Sequence, residues 1–535
     1  MPASPDDRLD SWKAIAAYLN RGVRTVRRWE HDEGLPVHRH VHRVQGSVYA
    51  YRSEIDAWRE SGTRQAPKRH PKSIAVLPFS NLSVDPENAY FADGLTDEVT
   101  ADLSKVRALR VISRTSSMAF RDTGKGVKTI ARELGVRYVL EGSVRRAGSR
   151  LRITAQLIDA STDDHVWADT FDGSVEDVFA FQERLARVIV GALELQLSTD
   201  EERRLAERPI ANVHAYECYL RARQEGWRWR KDSIDHAIQL LHNGLEIVGD
   251  NAGLFAALGL AHLQYRDAGV NMSERPLDEA EACARKVFAL EPASAVGRQL
   301  RGWIAFARGR IQDAVRDLKA ALEIDANNPD TLGLLSNCYV ISGRVEAARP
   351  LIERLIAVDP LTPVNRCMPG FAEVMVGNFA AALEPYRQMV AMDPGNPMAR
   401  LFYVWILILN GRTDAVGAVL AAFPPDVRET VPARLAFFMA DALAGNVEGV
   451  DAALTPEVDA AAKASDLFAR ILAQGYALAG RPDRALDWLE VAVGRGFINY
   501  PFLARYDPFL QTLSADPRFV ALMVVARDRW ERFDA

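Results

Sequence analysis

The sequence predicts a multidomain chain of three architectures: a small helix-turn-helix unit with a β-hairpin wing, a mixed-sheet α/β middle domain, and an all-α solenoid of repeated helix pairs. Three observations carry this expectation. At 535 residues the chain is far longer than one hydrophobic core supports, so three or more folding units are expected. Its apolar period is helical over residues 12–29 and strand-like in several stretches between 73 and 171. From residue 213 onward the organisation is repetitive, with Gly309, Gly343, Gly377, Gly411 and Gly445 each 34 residues apart.

In the first unit, residues 1–60, Trp12, Ile15, Ala16 and Leu19 fall at i, i+3, i+4 and i+7, one buried helical stripe that Asp10 or Ser11 can cap. Asn20-Arg21-Gly22 breaks the pattern, and a second helix opens whose Val23, Val26 and Trp29 are spaced to dock on the first. Arg24, Thr25, Arg27 and Arg28 are left facing outward, the geometry of a recognition helix in the major groove of double-stranded DNA. Residues 37–43 are extended and basic, Gln45-Gly46-Ser47 supplies a turn, and residues 48–51 return as aromatic strand formers. On this hairpin His40, His42, Arg43 and Gln45 are placed to approach the DNA backbone or minor groove. Ser53-Glu-Ile-Asp56 reads as a capping box that starts a third helix, with Ile55 and Trp58 toward the same core.

The motifs Ser-Trp-Lys-x-Ile-Ala-x-Tyr-Leu, Val-Arg-Thr-Val-x-Arg-Trp-Glu, Gly-Leu-Pro-Val-His-Arg and Ser-Val-Tyr-Ala-Tyr stand in that order over about 50 residues. They resemble the winged helix-turn-helix of the MerR and excisionase type, which implies duplex DNA binding. Gly22 departs from the serine cap such a recognition helix usually carries, a substitution that caps tolerate. Charge agrees: residues 1–72 hold 14 Lys and Arg against 9 Asp and Glu, leaving about −10 for the rest of a chain whose net charge is −5. A basic head on an acidic body suits DNA contact by the head alone.

Residues 61–72 lack apolar periodicity and contain two prolines, so they read as a basic linker. The middle domain, residues 73–200, begins with the buried-type strand 73–79 and continues as helix 90–106, strand 109–113 and helix 127–134 ended by Gly135. Strands at 138–146, 151–159 and 165–171 follow, the middle one alternating Leu151, Ile153, Ala155 and Leu157 with polar residues, and a helix over 175–197 closes the unit. Ile-Ala-Val-Leu-Pro-Phe, Phe-Ala-Asp-Gly-Leu-Thr-Asp-Glu and Arg-Ile-Thr-Ala-Gln-Leu-Ile-Asp resemble the TolB amino-terminal-like or FlgO-like domain, which implies a non-catalytic module. Such a module, beside a head too small to grip DNA tightly alone, is expected to regulate or to form a homodimer.

In residues 201–535, Leu290, Ile324, Val358 and Met392 end helices at the same 34-residue interval, and Ala314, Ala348 and Ala382 follow five residues after their glycines. This spacing is that of tetratricopeptide repeats, with about eight units, the last three degenerate, and a terminal cap around residues 506–519. The repeats imply a concave groove, lined by the first helix of each unit and suited to an extended segment of a protein partner.

Several features invite chemistry and have simpler readings. Gly124-Lys-Gly-Val-Lys-Thr129 lacks the spacing of a phosphate loop. His38, His40 and His42 alternate along a strand, but no cysteine or carboxylate in the local sequence completes a metal site. Asp93, Asp97 and Glu98 are read as carboxylates near a helix start. No catalytic motif is present, so neither an enzyme nor a cofactor is expected. Cys218, Cys283, Cys338 and Cys367 are too widely spaced for zinc and read as reduced core thiols, and with no export signal or membrane span a cytoplasmic location is expected. The favoured function is a DNA-binding transcriptional regulator. The alternatives are a repeat scaffold whose head grips protein, separable by affinity for duplex DNA, and an accessory protein in cyclic-nucleotide signalling.

Overall fold

The computed structural model describes residues 7–19, 21–32, 35–40, 47–56, 72–85, 88–226, 230–267 and 270–535. The chain divides into two units, Met1–Pro71 and Lys72–Ala535.

The first unit contains β1 (Arg8–Leu9), α1 (Trp12–Tyr18), α2 (Val23–Asp32), β2 (His38–His40), β3 (Ser47–Tyr51) and a short helix α3 (52–56). Ser11 caps α1 by accepting the Ala14 N–H at 3.1 Å. Ile15 and Ala16 of α1, Leu19 at its C-cap, Val26 of α2 and Ile55 of α3 are buried together with Leu35 and Ala50, and Trp12 is half-buried at their margin. The strands form an antiparallel sheet in the order β1-β3-β2. Its outer strand β1 is two residues long, too short to carry a sequence period.

The expected Ser53–Asp56 capping box is not formed. The helix already begins at residue 52, and the Ser53 N–H and hydroxyl both donate to the Asp7 carboxylate, at 3.0 and 2.6 Å. These hydrogen bonds hold the Asp7 carboxyl below its usual range. Asp56 instead accepts from the Tyr18 hydroxyl at 2.7 Å, tying α3 to α1.

The second unit is mostly helical, with a mixed sheet at its amino end. The sheet is built from β4 (Lys72–Val76), β5 (Ser80–Asn81), β6 (Leu109–Val111), β7 (Tyr138–Ala147), β8 (Arg150–Asp159) and β9 (Asp164–Ser174), in the order β6-β4-β7-β8-β9 with β5 beside β7. β4 runs parallel to β6 and β7, which requires crossovers, and these are α4 (Ala89–Ser104), then α5 (Arg114–Met118) and α6 (Val127–Leu134). β7, β8 and β9 are antiparallel neighbours in sequence and need only turns. The unbroken apolar run of β4 is explained by burial on both faces: Ile74 and Val76 join one core, Ala75 and Leu77 the other. α7 (Val178–Ala192) and α8 (Thr199–Ala206) lead into the solenoid.

Among the described residues the solenoid has eight helix pairs. Their first helices are Val213–Gly226, Ala252–Asp267, Ala295–Ala307, Pro329–Ile341, Pro363–Val374, Pro397–Leu409, Val431–Ala444 and Asp466–Leu478. The periodic glycines from Gly309 to Gly480 have φ between 66° and 85°. Each donates to the carbonyl three residues back, and the next residue to the carbonyl five back, as in Gly343 to Val340 and Arg344 to Tyr339. That pairing is the Schellman turn, and a left-handed residue is its requirement. Ala314, Ala348 and Ala382 are fully buried where paired helices meet. Cys283, Cys338 and Cys367 are free and buried, and burial pushes the Cys283 and Cys367 thiols up to about 12.

The α/β domain grips the repeats by their helix ends. Arg107 and Arg204 donate to the terminal carbonyls of Glu323 and Ile324 at 2.9 and 2.8 Å, and Arg110 to that of Ala357 at 2.5 Å. Cations at helix C-termini meet unpaired carbonyls and the negative end of the dipole together. Ser113 and Ser116 add buried hydroxyl bonds to Asp359, at 2.5 and 2.6 Å. No helix among the described residues is long and apolar enough to cross a membrane.

Candidate nucleic-acid interface

The start of α2 is fixed by Gly22, whose carbonyl accepts from the Thr25 and Val26 N–H groups at 3.0 and 3.1 Å. Arg27 is exposed on this helix, and its guanidinium carbon lies 5.2 Å from the centre of the Trp12 ring on α1. That cation–π contact orients the side chain while leaving its N–H edges to solvent. Thr25 is half-buried. Arg24 and Arg28 lie on α2 as expected, with side chains outside the described residues.

The hairpin behind the helix pair is in register His38 with Tyr49, Arg39 with Val48 and His40 with Ser47. His40 therefore belongs to β2, its side chain outside the described residues, and His42, Arg43 and Gln45 lie outside them altogether. His38 faces a carboxylate that the local sequence did not suggest. Its Nε2 is 2.7 Å from Glu54 Oε2 on α3, and its ring stacks on Tyr49 with centroids 5.1 Å apart. Arg8 covers Tyr49 at 4.2 Å and pairs with Asp10 at 2.7 Å. Among the described residues no group of three or more metal-ligating side chains comes together.

The acidic trio of the middle domain does not cap a helix. α4 begins at Ala89, leaving Asp93, Asp97 and Glu98 in its interior. Asp97, 5% exposed, pairs with Arg114 Nε of α5 and stands 3.2 Å from Arg223 Nη2 of the first solenoid helix. Arg223 also lies 3.6 Å from Glu98 and donates to the Tyr219 hydroxyl at 2.9 Å, while Asp93 pairs with Arg121. Burial raises Asp97 against the opposing pull of Arg223 and Arg114, and pushes Glu98 up to about 7. For Arg223, burial lowers the guanidinium but is outweighed by Tyr219, Asp97 and Glu98, so it is held above its usual value. The cluster joins two parts of one unit. The two arginines beside Asp97 come from 17 and 126 positions beyond it, where local sequence gives no signal.

The inner face of the solenoid differs from the open groove expected. First helices do converge there, through Leu263, Trp303, Ile341, Phe371 and Trp405. The chain itself closes the opposite side: Trp405 Nε1 donates to Gln474 at 2.9 Å, Arg266 to the Ala464 carbonyl at 2.9 Å, and Arg495 to the Lys463 carbonyl at 2.6 Å. A cavity of about 330 Å³ remains between these walls.

A tetratricopeptide repeat model matches residues 305–364 and 374–436, and the model of the HilA/YgeH-like transcriptional regulator, second domain, matches residues 70–188. The chain is similar to a Rhizobium meliloti (strain 1021) protein named "Putative adenylate cyclase 3", with 47% identity over 191 residues, 36% of this chain and 32% of that protein. It thus spans about a third of the length of the curated relative it matches. Among solved structures, the human IFIT1 dimer with m7Gppp-AAAA gives 15% identity and a TM-score of 0.35 over 59% of this chain and 77% of that one. A thermophilic TPR protein of Thermus thermophilus gives 16% and 0.30 over 36% and 99%. The chain carries tetratricopeptide repeats and a HilA-like regulator domain.

Proposed function

We propose that the protein is a DNA-binding transcriptional regulator whose amino-terminal unit is a winged helix-turn-helix of the MerR and excisionase type. The observation that carries this reading is positional. Residues 70–188 match the second domain of a regulator family, and ahead of them stands a basic unit with a helix pair and a paired hairpin. In this reading α2 enters the major groove, where Arg24, Thr25, Arg27 and Arg28 divide between phosphates and base edges. His40, His42, Arg43 and Gln45 on the hairpin approach the backbone or minor groove, while His38 is committed to Glu54. The middle domain, with its TolB-like or FlgO-like resemblance, regulates or dimerises without turnover, and the repeats bind a protein partner in the cytoplasm.

The test is fluorescence anisotropy of the full chain with duplex DNA across salt concentrations. Replacing Arg24, Arg27 and Arg28 together by Ala flattens the slope of log affinity against log salt by roughly 2 to 3, since each lost phosphate contact removes about 0.9. A base-reading arginine instead costs about 1 to 3 kcal/mol at specific sites only. An unchanged slope in the folded triple variant contradicts this assignment.

A second reading, an accessory role in cyclic-nucleotide signalling, is favoured by the 47% identity to the cyclase-named relative. It predicts no duplex DNA affinity in the folded chain and an altered cyclic-nucleotide level when the chain is deleted from its cell.

A further inference from the structure

The cavity inside the solenoid has aromatic walls. Trp303, Phe306, Phe371, Phe402 and Trp405 line it from three of the first helices, and the segment 464–470 faces them. Its volume of about 330 Å³ falls within the range of small-molecule sites, roughly 300 to 1,000 Å³.

The charged groups on its lining are Arg266, Arg470, Arg495 and Asp466, an excess of positive charge. Arg266 and Arg495 are spent on backbone carbonyls, where they clamp the wall: Arg266 on Met272 and Ala464, Arg495 on Lys463 and Ala307. Arg470 differs. It is 1% exposed, and its guanidinium carbon lies 4.8 Å from the centre of the Phe497 ring, 5.1 Å from that of Trp405 and 5.9 Å from that of Phe371.

Aromatic faces stabilise the charge but do not satisfy the in-plane N–H groups. Nε and Nη1 of Arg470 have no hydrogen-bond partner among the described residues. Two carboxylates act on its charge, Asp466 more than Asp507, but neither pairs with Nε or Nη1; Asp507 is engaged by Gln474 at 2.7 Å and by the N–H groups of Phe509 and Leu510. A buried guanidinium with unused donors is costly, and a ligand acceptor at the cavity relieves that cost.

We propose that this cavity binds a small organic acid, a monocarboxylate with an apolar body, whose carboxylate accepts from the unused N–H groups of Arg470 while its body lies against the aromatic walls. The positive excess selects an anion over a neutral acceptor, and the site is independent of the DNA-binding reading.

The experiment is isothermal titration of the full chain with phenylacetate, 4-phenylbutyrate and decanoate, alongside the neutral 4-phenylbutanamide. At least one acid binds saturably at one per chain, and the amide binds at least about tenfold more weakly than 4-phenylbutyrate. Arg470→Met lowers acid affinity by about tenfold or more, and Arg470→Lys retains part of it. Because the acid and amide comparison uses the unmodified protein, it decides the matter even if the Arg470 variants do not fold. No acid binding at millimolar concentration, equal binding of acid and amide, or full acid affinity in folded Arg470→Met overturns the proposal.

Discussion

Replacing Gly309 by Ala should destabilise the solenoid far more than the same change at Gly411, although both glycines occupy equivalent turns with φ of 73° and 66°. The left-handed backbone costs an alanine about 1 to 2 kcal/mol at either place. Their surroundings separate them. A Cβ at Gly411 meets nothing within 4 Å, whereas at Gly309 it lies 2.9 Å from the Cα and carbonyl carbon of Arg495 and 3.0 Å from its oxygen. Those are backbone atoms of a segment pinned by the Arg495 bonds to Lys463 and Ala307, so they cannot swing aside as a side-chain tip would. Overpacking adds about 1 to 3 kcal/mol, for a total of roughly 2 to 5 at Gly309. Hydrogen exchange on the full chain reads this locally: Gly309→Ala loses protection over residues 495–513, and Gly411→Ala keeps it. Equal losses at the two positions, with protection of 495–513 unchanged in both, would mean that the Arg495 backbone does not crowd position 309.

Three further perturbations test other joints. Arg223→Met leaves Asp97 and Glu98 short of a counter-charge, so denaturant titration should show a loss of about 3 to 5 kcal/mol in the second unit; a change below about 1 kcal/mol means the cluster carries little. Glu98 has a folded pKa raised to about 7 by burial, so the stability linked to its neutral form is complete below pH 4.5 and lost as pH rises through 7. Glu98→Gln therefore melts higher than the parent at pH 8, by the equivalent of roughly 1 to 3 kcal/mol, and the gain fades toward pH 4.5; a pH-independent gain contradicts this. Gly22 has open space around its missing Cβ and a φ outside the left-handed region, so Gly22→Ser should supply the absent cap of α2 and stabilise it by about 0.3 to 1 kcal/mol, seen as slower amide exchange in residues 23–26 and refuted by unchanged or faster exchange.

Periodic features were legible because their causes are local. The 34-residue glycine interval reflects a turn that requires a left-handed residue, and the alternation through β8 reflects a sheet with one covered face. What escaped the sequence depends on distant partners. Ser53 looked like a cap by spacing, yet its acceptor is Asp7, 46 positions earlier. Asp97 looked like a helix-start carboxylate, yet Arg223 reaches it from another element. The closing of the solenoid interior rests on Trp405 meeting Gln474, 69 positions away, and neither residue announces the other. For the candidate DNA-contacting residues, the helix that carries Arg24, Thr25, Arg27 and Arg28 was readable from spacing alone; the cation–π contact that orients Arg27 was not.

The central claim, that the amino-terminal unit brings this chain to specific DNA, is tested most directly by a genome-wide map of the DNA crosslinked to the full chain in its own cell, beside the variant with Arg24, Arg27 and Arg28 replaced by Ala. Discrete peaks sharing a sequence element are expected for the parent, and are lost in the variant at equal protein abundance. A map indistinguishable from that of cells lacking the protein, with the parent chain folded and abundant, would contradict it.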